Sequence, residues 1–140
     1  MLASLLLAGC GGPGTAVPYR NVTSQLHPAQ FPRVSRDTFT SKAELLDYIK
    51  HEMPGLHPHL PAIDWANREA IIVASGPRSS TGYVLHVVSL LDRGGRLVLT
   101  VREQTPTLGE AVKAEITYPF VLITIPRTNK KLQLHFQGRP

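Results

Sequence analysis

Tyr83–Arg102 reads YVLHVVSLLDRGGRLVLTVR. Leu97, Leu99 and Val101 recur at every second position, the period of a strand with one face turned to a core. Tyr83–Leu91 is a long aliphatic run, on which His86 falls on the outward side. Between the two runs stands Asp92-Arg93-Gly94-Gly95, whose glycines tolerate the positive φ that a tight turn demands. This is a β-hairpin, and its short turn makes the two strands antiparallel.

Working outward, Ala70–Ser75 (AIIVAS) is a short buried strand, and Ile116–Ile125 carries the run FVLITI. Lys131–Gln137 alternates Leu132, Leu134 and Phe136 with Lys, Gln and His, the pattern of a half-buried strand. Upstream, Val34–Phe39 is a further short strand. Ser41-Lys42-Ala43-Glu44 is a capping box, in which the serine oxygen and the glutamate carboxylate satisfy free amides at a helix start. Leu45, Leu46 and Ile49 follow at helical spacing, and Pro54-Gly55 ends the helix, which is placed at 42–52. One helix followed by five strands with short connections predicts a mainly β domain: a small antiparallel β-sandwich or partly open barrel with one packed helix.

Length and composition agree. A chain of 140 residues fits one domain, and 42% hydrophobic residues suffice for a core. Twelve prolines and eleven glycines favour short elements and turns over a helical bundle. The net charge is +5, and no acidic residue follows Glu115, so Arg127, Lys130, Lys131 and Arg139 leave a basic end. The basic residues are scattered and no stacking motif accompanies them, which argues against nucleic acid as a partner.

The start of the chain, MLASLLLAGC, has an apolar run from Leu2 to Gly9, too short for a membrane span and of the right length for a secretory signal. Leu7-Ala8-Gly9-Cys10 resembles the bacterial lipobox, which implies that Cys10 is acylated and becomes the mature N-terminus. No Lys or Arg precedes the run, so a few basic residues are expected upstream of Met1. Cys10 is the only cysteine, which leaves no thiol for a disulfide, a metal or nucleophilic catalysis. The expected organisation is a lipoprotein signal peptide at 1–9, a tether at 10–35 grading into a first strand at Val17–Val22, and a β-rich domain at 36–140. That organisation places the protein on the exported side of a bacterial envelope, anchored to the membrane through lipid.

Gly76-Pro77-Arg78-Ser79-Ser80-Thr81-Gly82-Tyr83 is the most heavily marked loop. Gly76 and Gly82 permit turns closed to other residues, Pro77 fixes its own φ, and Arg78 and Tyr83 are types enriched at binding hot spots. The candidate partner-binding loop is therefore Arg78, Ser79, Ser80, Thr81, Gly82 and Tyr83, with the run Arg78–Thr81 taken as exposed. Tyr83 is equally well read as packing inward.

Other chemistry finds little footing. His51 and His57 bracket Pro54-Gly55, which breaks the helix that an H-E-x-x-H zinc motif requires. His57-Pro58-His59 has no third ligand near in sequence. Ser79 or Ser80 with His86 and Asp64 would supply the residue types of a hydrolytic triad, but no nucleophile elbow supports them. No catalytic residue, metal site or cofactor is expected.

Several of these segments together resemble one family. Ile63-Asp64-Trp65 before an apolar strand, the Gly-x-Arg-x-x-x-Gly-Tyr pattern of Gly76–Tyr83, the turn Glu103-Gln104-Thr105-Pro106, and Thr117-Tyr118-Pro119-Phe120 leading into Val121–Pro126 are similar to the C-terminal domain of the PrcB family, the protease complex subunit. The resemblance spans about Asp64 to Gln137 and departs from the family at Thr81, where a second glycine is usual. It implies a non-catalytic, lipid-anchored protein-binding module that associates with a secreted or envelope protease and stabilises or restrains it. The competing expectation is an envelope structural lipoprotein with no protease partner.

Overall fold

The computed structural model describes residues 14–138; Cys10 and the 1–9 segment lie outside the described residues. Its strands are β1 (Thr15–Ala16), β2 (Arg20–Asn21), β3 (Val34–Phe39), β4 (Arg68–Ser75), β5 (Val84–Arg93), β6 (Arg96–Gln104), β7 (Phe120–Pro126) and β8 (Lys131–Gln137). One α-helix, α1 (Lys42–Glu52), stands between β3 and β4. The strands form two four-stranded sheets, ordered β1-β5-β6-β8 and β2-β7-β4-β3. The fold is a β-sandwich, mainly β, and neither sheet closes into a barrel.

Three layers result, and the sequence pattern of each strand follows from its layer. The β2-β7-β4-β3 sheet is covered on both faces. Ile71, Val73, Val121, Ile123 and Ile125 face the other sheet, where they meet Leu85, Leu90, Leu97, Leu99 and Val101. Ala70, Ile72, Ala74 and Leu122 face the opposite way, onto Leu45, Ile49 and Met53 of the helix segment and onto Val22, Leu26 and Phe31. A strand buried on both faces has no polar side, hence the continuous runs of β4 and β7. β6 and β8 face solvent on one side and alternate.

Local signals act where expected. Ser41 Oγ accepts from the Glu44 amide at 3.2 Å, while Glu44 Oε2 accepts from the Thr40 amide at 2.8 Å, one residue before the cap. The β5–β6 turn places Gly94 and Gly95 at φ +58° and +85°, closing the hairpin with Arg93 opposite Arg96. Tyr48 of α1 packs between Phe31 and Phe39 and hydrogen-bonds Ser35 through its hydroxyl at 2.6 Å. Burial there pushes its phenol up to about 12.

Three expectations are corrected. The pairing is not antiparallel throughout: β8 runs parallel to β6, from Arg96 opposite Lys131 to Arg102 opposite Gln137. The intervening β7 belongs to the other sheet, so residues 105–130 form the long crossover that a parallel pair needs. The single first strand at Val17–Val22 is replaced by β1 and β2, which pair with β5 and β7 in different sheets on either side of Pro18. β7 begins at Phe120 rather than Ile116, since Pro119 offers no amide to a ladder.

Candidate functional site: a two-loop platform

At one end of the sandwich the β4–β5 loop lies against the long β6–β7 connection. Their junction begins at the buried end of β4, where the Ser75 amide donates to the Pro119 carbonyl at 3.1 Å. Gly76 turns the chain at φ +75°. Arg78 and Thr117 then exchange both backbone hydrogen bonds, at 2.8 and 2.9 Å. Thr117 Oγ1 donates to the Ser80 carbonyl at 2.7 Å, and Thr81 and Lys113 are joined by two more bonds at 3.1 and 3.0 Å. Gly82 packs so closely that a Cβ there would lie 2.5 Å from Pro106 Cγ and 2.7 Å from Val112 Cγ1.

The Arg78 side chain turns inward. Its Nε meets Glu103 Oε2 at 2.8 Å, its Nη2 meets Oε1 at 3.3 Å, and its Nη1 donates to the Ser75 carbonyl at 3.0 Å. The Glu103 side chain is 1% exposed and that of Arg78 15%. A buried charge is tolerated only when paired and hydrogen-bonded, and this pair meets that condition with near-bidentate geometry.

The run Arg78–Thr81 is therefore not uniformly exposed. Ser79 and Thr81 face solvent, Ser80 and Gly82 are buried, and Arg78 and Tyr83 are half-buried. What the loop offers outward is joined by apolar side chains of the β6–β7 connection: Leu108 is fully exposed, Ile116 is 68% exposed and Val112 37%. Sequence reasoning placed Ile116 in a strand and missed Leu108 and Val112, since single aliphatic residues in a polar, Pro- and Gly-containing stretch carry no periodicity. Their signal is contextual, in that they share a loop hydrogen-bonded to Thr81.

The residues considered for catalysis are not brought together. Asp64 precedes β4 and accepts from Asn67 at 2.9 Å, whereas Ser79 and Ser80 follow β4. The eight residues of that strand separate them by about 25 Å. The Ser80 hydroxyl accepts from the Gly82 amide at 3.3 Å, and the His86 ring lies 2.8 Å from Gln104 Oε1. His59 packs against His27 with ring centroids 5.3 Å apart and the ring planes tilted by 45°. Among the described residues no three His, Cys, Asp or Glu side chains gather around one metal position.

The platform stands at the far end from where the described chain begins. Thr15 pairs with Asp92 and Ala16 with Leu91, beside the β5–β6 turn, while the platform flanks Val84 at the other end of β5. Ten residues of strand put about 30 Å between the two. No helix among the described residues is long and apolar enough to cross a membrane.

No curated protein and no solved structure matches the chain. A family model described as PrcB C-terminal matches residues 70–126, from the start of the AIIVAS run through β5, β6 and the platform to the end of β7. Both platform loops, the Arg78–Glu103 pair and the Thr117 clamp fall inside that match, so it is in this segment that the chain is similar to the PrcB C-terminal family.

Proposed function

We propose that this chain is a non-catalytic accessory subunit of a protease complex, held at a bacterial membrane by acylated Cys10 and docking its partner through the two-loop platform. The family assignment supports association with a protease complex. The observation that carries the reading to the platform is the internal bracing of the β4–β5 loop. The loop crosses from one sheet to the other, and seven hydrogen bonds or ion-pair contacts hold it to Glu103, Lys113 and Thr117. Such bracing lets Ser79, Thr81, Leu108, Val112 and Ile116 meet a partner without a large ordering cost.

The lipid anchor fits the same geometry. Cys10 precedes Gly14 by four residues, so a chain tethered there presents its basic turn end to the bilayer and its platform outward. The subunit stabilises or restrains the protease by contact alone.

Crosslinking in the native host, followed by mass spectrometry, tests the reading. A secreted protease is expected among the crosslinked partners, lost on L108D/I116D and kept on surface changes elsewhere. Absence of any protease, or unchanged capture by the double variant, would leave the envelope-structural alternative. Separately, Cys10→Ser is expected to move the protein from the membrane to the soluble fraction.

A further inference from the structure

The sandwich is open along one side. β3 and β8 are the edge strands of the two sheets, and no described strand pairs with the outer edge of either. Between them runs a cleft that exposes the flank of the inter-sheet core. Toward the platform it is apolar, a space of about 270 Å³ lined by Val34, Val73, Leu134 and Phe136. Toward the turn end it is basic, a space of about 320 Å³ where Arg36, Arg96 and Lys131 converge beside Gln133. Arg36 lines both spaces, so they form one groove along β8, whose seven residues span about 20 Å.

From this juxtaposition we infer a second docking site, independent of the platform: an extended peptide of a partner protein adds to the outer edge of β8, its acidic end over Arg36, Arg96 and Lys131 and its apolar end against Val34, Leu134 and Phe136. An unpaired edge strand supplies a row of backbone donors and acceptors for such a strand, and pockets for alternate side chains give it specificity. Charge selects the occupant. None of Arg36, Arg96 and Lys131 is among the ion pairs of the described residues, whereas the neighbouring Lys130 is paired with Asp92. Residues 1–13 of this chain contain no acidic side chain to complement them. A second copy added antiparallel to the same edge would set Arg36 and Lys131 against its apolar end around Val34 and Phe136, leaving the cations without an acidic complement, which disfavours self-association. Val34, 59% exposed on the rim, is apolar surface that such a strand would cover.

The probe is a fluorescent eight-residue peptide with aspartate and glutamate at one end and valine alternating with threonine at the other, titrated against the full-length chain. Binding is expected to weaken by about tenfold or more when lysine replaces the acidic residues, and on R36E/K131E or Val34→Asp. Methylating alternate peptide nitrogens, which removes the ladder but keeps the charges, is expected to abolish it. Circular dichroism and thermal melts of the variants confirm that these exposed positions leave the fold intact. The inference is overturned if the acidic and lysine peptides bind alike, if neither binds at about 1 mM, or if R36E/K131E binds as the parent does. A dimer abolished by Val34→Asp, or flotation with phosphatidylglycerol vesicles that depends on Arg36 and Lys131 without peptide binding, equally overturns it in favour of another occupant.

Discussion

Arg78 and Glu103, 25 residues apart in the chain, close a two-point ion pair that ties the β4–β5 loop to the last turn of the β6 ladder. Because Glu103 is almost fully enclosed, each residue is the condition for the other's burial. Glu103→Ala is expected to cost about 3–5 kcal/mol in urea denaturation, as is Arg78→Ala, because each leaves one buried charge unpaired. The double substitution to apolar residues of similar volume is expected to recover most of that loss. Additive losses in the double variant would contradict the pairing.

Gly82 is required for a reason of space alone, since its backbone is not in the left-handed region. Gly82→Ala would press a methyl group into Pro106 and Val112, at an expected cost of about 1–3 kcal/mol. Pro106→Ala should restore part of the thermal stability lost, because it removes Cγ, the atom closest to the added methyl. A Gly82→Ala variant that melts with the parent would show that the two loops are not packed together.

Leu108 and Ile116 separate binding from folding. Both project into solvent, so L108D/I116D is expected to leave stability within about 0.5 kcal/mol per site while removing partner capture. Circular dichroism melts and crosslinking yield, measured on the same preparation, read the two effects apart. A large drop in melting temperature would show that these side chains are packed.

Tyr48 makes the fold sensitive to alkali. Its phenol ionises near 12 in the folded state against 10.0 ordinarily, chiefly because burial disfavours the phenolate. The folded state holds the proton more tightly, so this contribution is complete below pH 10 and declines as pH rises toward 12. Absorbance at 295 nm is expected to show a phenol titrating near 12, lost in Tyr48→Phe. Stability of that variant between pH 10 and 12 should fall less steeply than the parent's. Identical slopes would place Tyr48 outside the alkaline transition.

The strands of the hairpin, the helix with its cap, and the buried character of β4 were all legible from residue order, because each depends on neighbours a few positions away. Gly94 and Gly95 need only their own φ, and Ser41 needs only Glu44. The inward turn of Arg78 was not legible. An arginine between Pro77 and Ser79 looks exposed until Glu103, from another strand, is brought beside it. Leu108 and Val112 were passed over, and Ile116 was placed in a strand, for the same reason, since their significance comes from the loop that Thr81 and Lys113 join.

By itself, then, the order of residues determined the elements, the burial of each face and the family signature running from the AIIVAS strand to Pro126. Tertiary structure alone decided that β7 crosses to the second sheet, that β8 therefore lies parallel to β6, and that β3 and β8 border an open cleft. The physical reason is range. Turn dihedrals, caps and side-chain alternation are settled within a few residues, whereas strand neighbours and buried charge pairs are settled by which distant surfaces exclude water together.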